Sequence, residues 1–343
     1  MQHVYLVRHA MPDIPLGERW CIGHTDLPLG TVGKMQAALL PFVPELQGKP
    51  VFSSYLSRAR ETARPLCPDP LVRDGLEEQN MGVWDGLSFT EIQFLYPELY
   101  AAREKNPNLW PEDAESMDSV RERMASAVRR CMAETDGDLV IVSHKSAIDS
   151  LTGSRPKLLH TSISVLEWEG SRYHVTEIGR LPHPALTEEV CQALLNAADV
   201  PQNVVAHCRA VAAEVLRLVD GLPSAAPPPD TELLFAAAML HDIARTEPNH
   251  AALGAAWINA LGYPEVADLV SRHHDYSGTG TDEAAILYLA DKYLRGTERV
   301  SLEERFAESE KKCGTEEARI AHARRFEIAK MIENQVSGAD HHV

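Results

Sequence analysis

The sequence has little of what would assign it quickly to a compartment or a scaffold. Its six cysteines, Cys21, Cys67, Cys131, Cys191, Cys208 and Cys313, are scattered over 343 residues and form no Cys-x-x-Cys pair. That argues against a disulfide framework or a thiolate zinc site and for reduced thiols. No segment approaches the ~20 apolar residues of a membrane span, and the apolar run 1–7 carries no basic leader or cleavage site. The expectation is a soluble, cytoplasmic protein without a membrane partner. Cations are scarce as well: 33 Lys and Arg stand against 50 Asp and Glu, a formal charge of −17. Unspecific attraction to a nucleic-acid backbone is therefore disfavoured, and any phosphate must be captured locally. What the chain does have is ordinary globular material, 44% hydrophobic and 24% charged, in a length that suits two domains. It also has 15 histidines.

Short β-rich runs alternate with helical periodicity through the first half. Strands are expected over 3–7, 50–53 and 139–143 and helices over 31–46, 56–66 and 116–134, the pattern of an α/β domain. Runs 162–168 and 173–178 flank the turn signal Glu169-Gly170-Ser171 and read as a closing hairpin. Beyond the proline-bearing segment 180–184 only helical patterns follow, over 187–198, 204–218, 231–244, 251–261, 265–272 and 282–294. Thr187 ahead of Glu188 and Glu189 marks the first of these helix starts. The division expected is 1–182 and 183–343. Residues 222–230 read as a proline-rich connector. Residues 297–334 read as one or two amphipathic helices with Ile320, Phe326, Ile328, Met331 and Ile332 as candidate buried positions, and 340–343 as a frayed tail.

The first half places Arg8-His9-Ala10 at the end of its first strand, the edge where open α/β sheets build their sites. Further segments follow in order: Gly23-His24-Thr25-Asp26, Ser53-Ser54-Tyr55-Leu56-Ser57-Arg58-Ala59-Arg60-Glu61, Glu78-Gln79-Asn80-Met81-Gly82 and Val142-Ser143-His144. The set resembles the histidine phosphatase (phosphoglycerate mutase-like) superfamily over roughly residues 1–180. The resemblance implies a three-layer α/β fold, a phosphohistidine formed on His9, a phosphate pocket completed by Arg8, Arg58 and His144, and Glu78 as general acid. No cofactor is implied for this domain. His24 and Thr25 are candidate substrate contacts. Ala10 and Lys145 stand where the family commonly has glycine, and neither change removes a catalytic group. Ser116 after Glu115 reads as a helix cap as well as a family segment. The domain lacks room for the long insertions of mutases, which favours a phosphatase. This half resembles the short phosphatases of the α-ribazole phosphate type. Specificity is expected to lie in loops 12–21 and 93–113.

The helical half carries a second set: His207, His241-Asp242, His250, His273-His274 and Asp291. Burying an ionised aspartate beside apolar helix costs several kcal/mol unless a cation pairs it, and imidazole plus carboxylate without thiolate suits Mn, Fe, Co, Mg or Zn. The order resembles the HD-domain superfamily of metal-dependent phosphohydrolases over roughly residues 185–300. The resemblance implies an all-α bundle with His207, His241, Asp242 and Asp291 as core ligands. His250, His273 and His274 would be further ligands for a second divalent ion. Arg245 is a candidate substrate contact. The reading is a bifunctional phosphohydrolase acting on small phosphorylated metabolites or nucleotides, with a regulatory, nucleotide-binding HD unit as the alternative.

Overall fold

The computed structural model describes residues 1–106, 109–153, 157–170, 172–222, 228–278 and 280–337. Ser171 of the expected turn, part of the 222–230 connector and the whole of the 340–343 tail lie outside them. The chain divides into two compact units, Met1–Pro184 and Ala185–Val343.

The first unit runs β1 (Gln2–Arg8), β2 (Trp20–Cys21), α1 (Thr31–Ala38), β3 (Val51–Ser53), α2 (Ser57–Ala63), β4 (Leu71–Val72), β5 (Leu87–Ser88), α3 (Phe89–Leu95), α4 (Pro97–Lys105), α5 (Met117–Ala133), β6 (Leu139–Ser143), α6 (Lys145–Thr152), β7 (Ile163–Glu169) and β8 (Arg172–Arg180). Six strands form one mixed sheet in the order β4-β3-β6-β1-β7-β8. The first four are mutually parallel, and β7 and β8 add on antiparallel. Side chains alternate between the faces of a strand, and here they enter two cores. Val4, Leu6, Leu139 and Ile141 pack with Val120, Met124 and Ile148 from α5 and α6. Val7, Val140 and Val142 pack with Ala59 and Ala63 of α2 and with Leu40 and Leu46. Both faces are thus covered, which explains why Leu139-Val140-Ile141-Val142 is uninterrupted by a polar residue. Each of these side chains contributes about 1.5–3 kcal/mol on burial, so packing fixes this short strand.

Two expectations need correction in this unit. The helix expected over 31–46 ends at Ala38, because Pro41 and Pro44 lack the N–H a continuing helix needs; single 3₁₀ turns, Leu40–Phe42 and Pro44–Leu46, follow instead. The segment 93–113, expected as loop, contains the end of α3 and all of α4, which starts on Pro97 in its first turn.

The second unit runs α7 (Glu188–Ala197), α8 (Gln202–Asp220), α9 (Thr231–Leu240), α10 (His250–Ala260), α11 (Pro264–Arg272), α12 (Glu283–Lys292), β9 (Leu294–Arg295), β10 (Glu298–Arg299), α13 (Leu302–Glu310) and α14 (Glu316–Val336). Thr187, Asp230, Asp282, Ser301 and Thr315 cap five of the helices, each side chain accepting from a backbone N–H in the first turn. Helix α8 buries Val205, Cys208, Val211, Ala212, Val215 and Leu218, one stripe at helical spacing. The unit is helical as expected, with one small addition, the two-residue strands β9 and β10 joined through Gly296 at φ +62°. Helix α9 stops at Leu240, so His241 and Asp242 sit in the turn after it rather than within a helix reaching 244. In α14, Ile320 is 62% exposed, against expectation. Ala329, Ile332 and Val336 form the buried positions, and Phe326, Ile328 and Met331 are half-buried.

Candidate functional site

Two adjacent parallel strands, β1 and β6, end at Arg8 and Ser143, and the residues that follow them, His9 and His144, meet with ring centroids 5.0 Å apart. A third parallel strand, β3, leads through a short turn into α2, whose second residue is Arg58. The carboxyl edge of the sheet thus gathers His9, His144, Arg8 and Arg58 from three separate strand ends. His9 and His144 are buried, as is Arg58. His9 Nδ1 lies 2.7 Å from the Ala10 carbonyl, which can only accept, so Nδ1 carries the proton and the Nε2 lone pair is left free. Burial first, then the charges of Arg58 and Arg8, holds the His9 imidazole well below its ordinary pKa. The same causes hold His144 down, so both rings are neutral at neutral pH.

The guanidiniums are anchored at one end and open at the other. Arg58 donates to the carbonyls of Gly23 and Thr25 at 2.6 and 2.8 Å; Arg8 donates to the Leu158 carbonyl at 2.6 Å. The Nε atoms of both arginines and both ring nitrogens of His144 are buried without a hydrogen-bond partner among the described residues. Unsatisfied buried donors of this kind are costly, and an oxyanion is the group that would satisfy them together. Burial lowers the Arg8 pKa to about 10, opposed by Glu78, so the pocket stays cationic at neutral pH. Glu78 is buried, and its carboxylate accepts from Gln79 N at 2.8 Å and from Ser146 N, in the first turn of α6, at 3.1 Å. His24 is exposed and its Nε2 lies 2.9 Å from the Glu78 carbonyl. The backbone N–H groups of Gly23, His24 and Thr25 all donate to Asp85, which fixes that loop. Lys145 pairs with Asp149 along α6 rather than with the pocket, and Ser116 caps α5 by accepting from Ser119 N.

Sequence reasoning missed His160. Its ring centroid is 5.5 Å from that of His9, and its Nε2 accepts from Arg8 Nη2 at 3.0 Å. The following Thr161 takes a left-handed φ of +58°, a conformation that a β-branched residue resists, and is held there by Thr161 N donating to the Arg8 carbonyl at 3.0 Å. No motif marks His160, because only this turn brings it back to β1.

In the second unit the seven expected ligands converge in two groups. His207, His241 and Asp291 form one and Asp242, His250, His273 and His274 the other, each with donor atoms within 4.8 Å of one another. His207, His241 and His273 donate their Nδ1–H to the carbonyls of Gly296, Ala238 and Val270 at 2.8, 2.8 and 2.7 Å. That fixes the tautomer and leaves three Nε2 lone pairs facing inward, the usual support of a metal-ligating imidazole. The Nε2 atoms of His241 and His273 are buried without a hydrogen-bond partner among the described residues. His207 Nε2 faces Asp291 Oδ1 at 3.2 Å, and His250 Nε2 faces Asp242 Oδ1 at 3.2 Å and His274 Nε2 at 2.7 Å. Inward-facing lone pairs and carboxylates converging in this way suit a cation, so the residues fit a divalent metal. Burial raises the Asp291 pKa, but Lys292, His207 and His241 outweigh it and hold the carboxylate well below its usual range. Lys292, which the sequence reading did not single out, lies 2.7 Å from Asp291 Oδ2. Arg245 contacts the centre, 3.6 Å from Asp242 and 3.1 Å from His250 Nε2.

Residues 4–180 match the histidine phosphatase superfamily (branch 1), and residues 204–296 match the HD domain, a metal-dependent family. The chain is 30% identical over 198 residues to phosphoglycerate mutase-like protein 4 of Arabidopsis thaliana, covering 52% of this chain and 86% of that protein. It is 25% identical over 196 residues to a metal-independent phosphoserine phosphatase of the same plant, covering 52% and 82%. It is 32% identical over 153 residues to a protein of Mycobacterium tuberculosis named as bifunctional, covering 43% of this chain and 42% of that relative, under half of its length. No helix among the described residues is long and apolar enough to cross a membrane.

Proposed function

The chain belongs to the histidine phosphatase superfamily through residues 4–180, and from that premise we propose a bifunctional phosphohydrolase with one metal-free and one metal-dependent centre. It is a hydrolase acting on phosphate esters. In the first unit His9 Nε2 attacks phosphorus, forming a P–N bond as the P–O ester bond breaks. Arg8 and Arg58 hold the phosphoryl oxygens with charge-assisted hydrogen bonds, and neutral His144 adds one ring N–H donor. Glu78, entering the step in its protonated form, gives that proton to the departing alkoxide. Water then attacks the phosphohistidine, Glu78 takes up its proton, and orthophosphate leaves with His9 restored. The observation that carries this reading is the buried, neutral His9 with a free Nε2 among unsatisfied cationic donors. A small phosphomonoester is the substrate class, with a cobalamin-pathway ester of the α-ribazole phosphate type as one candidate.

In the second unit His207, His241, Asp242 and Asp291, with His250, His273 and His274, would hold one or two divalent ions. Such ions activate water and neutralise the phosphate being cleaved. The protein's own part is to fix the imidazole tautomers through the Gly296, Ala238 and Val270 carbonyls and to keep Asp291 ionised beside Lys292. The substrate class is a nucleotide or related phosphate ester. The test is phosphoryl trapping: the full chain, treated with chelator and mixed with a ³²P-labelled aryl phosphate, should acquire an acid-labile label at His9. A label elsewhere, or one that requires metal, would remove the first mechanism. If the metal-loaded chain retained a nucleotide intact, the second unit would be a sensor instead.

A further inference from the structure

The second centre has walls that lie beyond its family match. The match ends at residue 296, yet the cavity of about 550 Å³ onto which His207, Asp242 and Asp291 open is also lined by Arg305, Phe306 and Ser309 of α13 and by His322 and Arg325 of α14. These helices are built in. The Phe306 ring sits 5.1 Å from those of His322 and Phe326, and Ser309 Oγ lies 2.7 Å from His322 Nε2. Tyr288 of α12 donates to the Arg325 carbonyl at 2.9 Å. The volume falls within the ~300–1,000 Å³ of small-molecule sites.

The charges on this cavity do not balance. Arg245, Lys292, Arg305 and Arg325 face Asp242, Asp275 and Asp291, a surplus of one positive charge before any metal. Arg325 is engaged by Asp275 at 2.7 Å, Lys292 by Asp291 at 2.7 Å, and Arg245 leans on Asp242 at 3.6 Å. Arg305 has no ion pair among the described residues, and its Nε is buried without a hydrogen-bond partner. Each divalent ion would add two more positive charges, whereas a phosphate monoester brings about two negative ones. A ligand with a second phosphate meets the excess, and a guanidinium fork is the group suited to hold it.

We propose that α13 and α14 complete the second site as a polyphosphate subsite, in which Arg305 holds a phosphate beyond the one at the metal centre. The site then takes nucleoside di- and triphosphates in preference to monophosphates. This rests on the reading of the second unit as a metal-dependent phosphohydrolase. The test is calorimetric titration of the full chain, reloaded with Mn²⁺ and freed of excess metal, with α,β-methylene-ADP and with AMP. The same titrations of chelator-treated chain subtract binding at the first site. The metal-dependent affinity should favour the diphosphate analogue by about tenfold or more. Arg305→Ala should reduce that preference to under about threefold at unchanged metal content and melting temperature, and Arg305→Lys should keep part of it. Equal affinities in the wild type, or a preference that survives Arg305→Ala, would overturn the proposal. A chain that takes up no metal would overturn the underlying reading as well, and elemental analysis of the same samples separates the two failures.

Discussion

The two centres differ in the groups they place at their middle. The first is cationic as built: two guanidiniums that no chelator removes, Arg8 and Arg58, surround imidazoles that burial and those same arginines keep neutral. The second is built around two carboxylates, Asp242 and Asp291, among imidazoles whose free nitrogens point inward. At those two carboxylates a phosphate without a metal would meet like charge, although the wider cavity is lined by four basic side chains against three acidic ones. On the function proposed above, one site carries its electrophilic help in the chain and the other borrows it from a metal. The scaffolds suit the difference. A sheet edge gathers residues from separate strand ends around one oxyanion, while helices and the turns after them aim several imidazoles at one point.

Metal dependence is thus the variable that should separate the two activities, and the sharpest break is genetic. His9→Ala should lower chelator-resistant phosphomonoesterase activity by about a thousandfold or more and leave bound metal unchanged, as read by assay with and without EDTA. Substantial chelator-resistant activity in that variant would end the comparison. Asp242→Ala should act in the opposite sense. Metal content and metal-dependent hydrolysis should fall by about a hundredfold, while the chelator-resistant rate stays within about twofold. Normal metal occupancy there would sink the ligand assignment. Glu78→Gln should slow an alkyl phosphate by about a hundredfold and an aryl phosphate much less, because only the poorer leaving group needs the proton. Equal slowing would make Glu78 a positioning residue. The smallest effect is expected at His160. Its replacement by Ala should raise the inhibition constant of orthophosphate about fivefold through a loosened Arg8, and His160→Gln, which restores an acceptor, should recover part of it. No change in that constant would show that Arg8 needs no such support.

Much of both centres was legible because short local patterns carried them. Arg8-His9 follows an apolar strand, and His241-Asp242 follows an apolar helix, so element and site could be read from the same dozen residues. What escaped depended on distant chain segments. His160 reaches Arg8 through a left-handed turn at Thr161, and nothing local in Leu158-Leu159-His160-Thr161 signals that return. Arg305 lies on a charged helix that reads as a solvated face, and its unpaired Nε is visible only once α13 is packed beside α14. The 31–46 helix failed for a local reason that was on the page, Pro41 and Pro44. Ile320 failed for a tertiary one, since an apolar residue near the start of α14 faces solvent rather than the core.

The most direct test of the central contrast is to count metal ions per chain by elemental analysis in wild type and Asp242→Ala, and to assay phosphomonoesterase activity of the same wild-type sample before and after chelation. About one to two transition-metal ions in the wild type, fewer in Asp242→Ala, and phosphatase activity unaltered by their removal are the predicted results. Phosphatase activity that leaves with the metal would contradict the account.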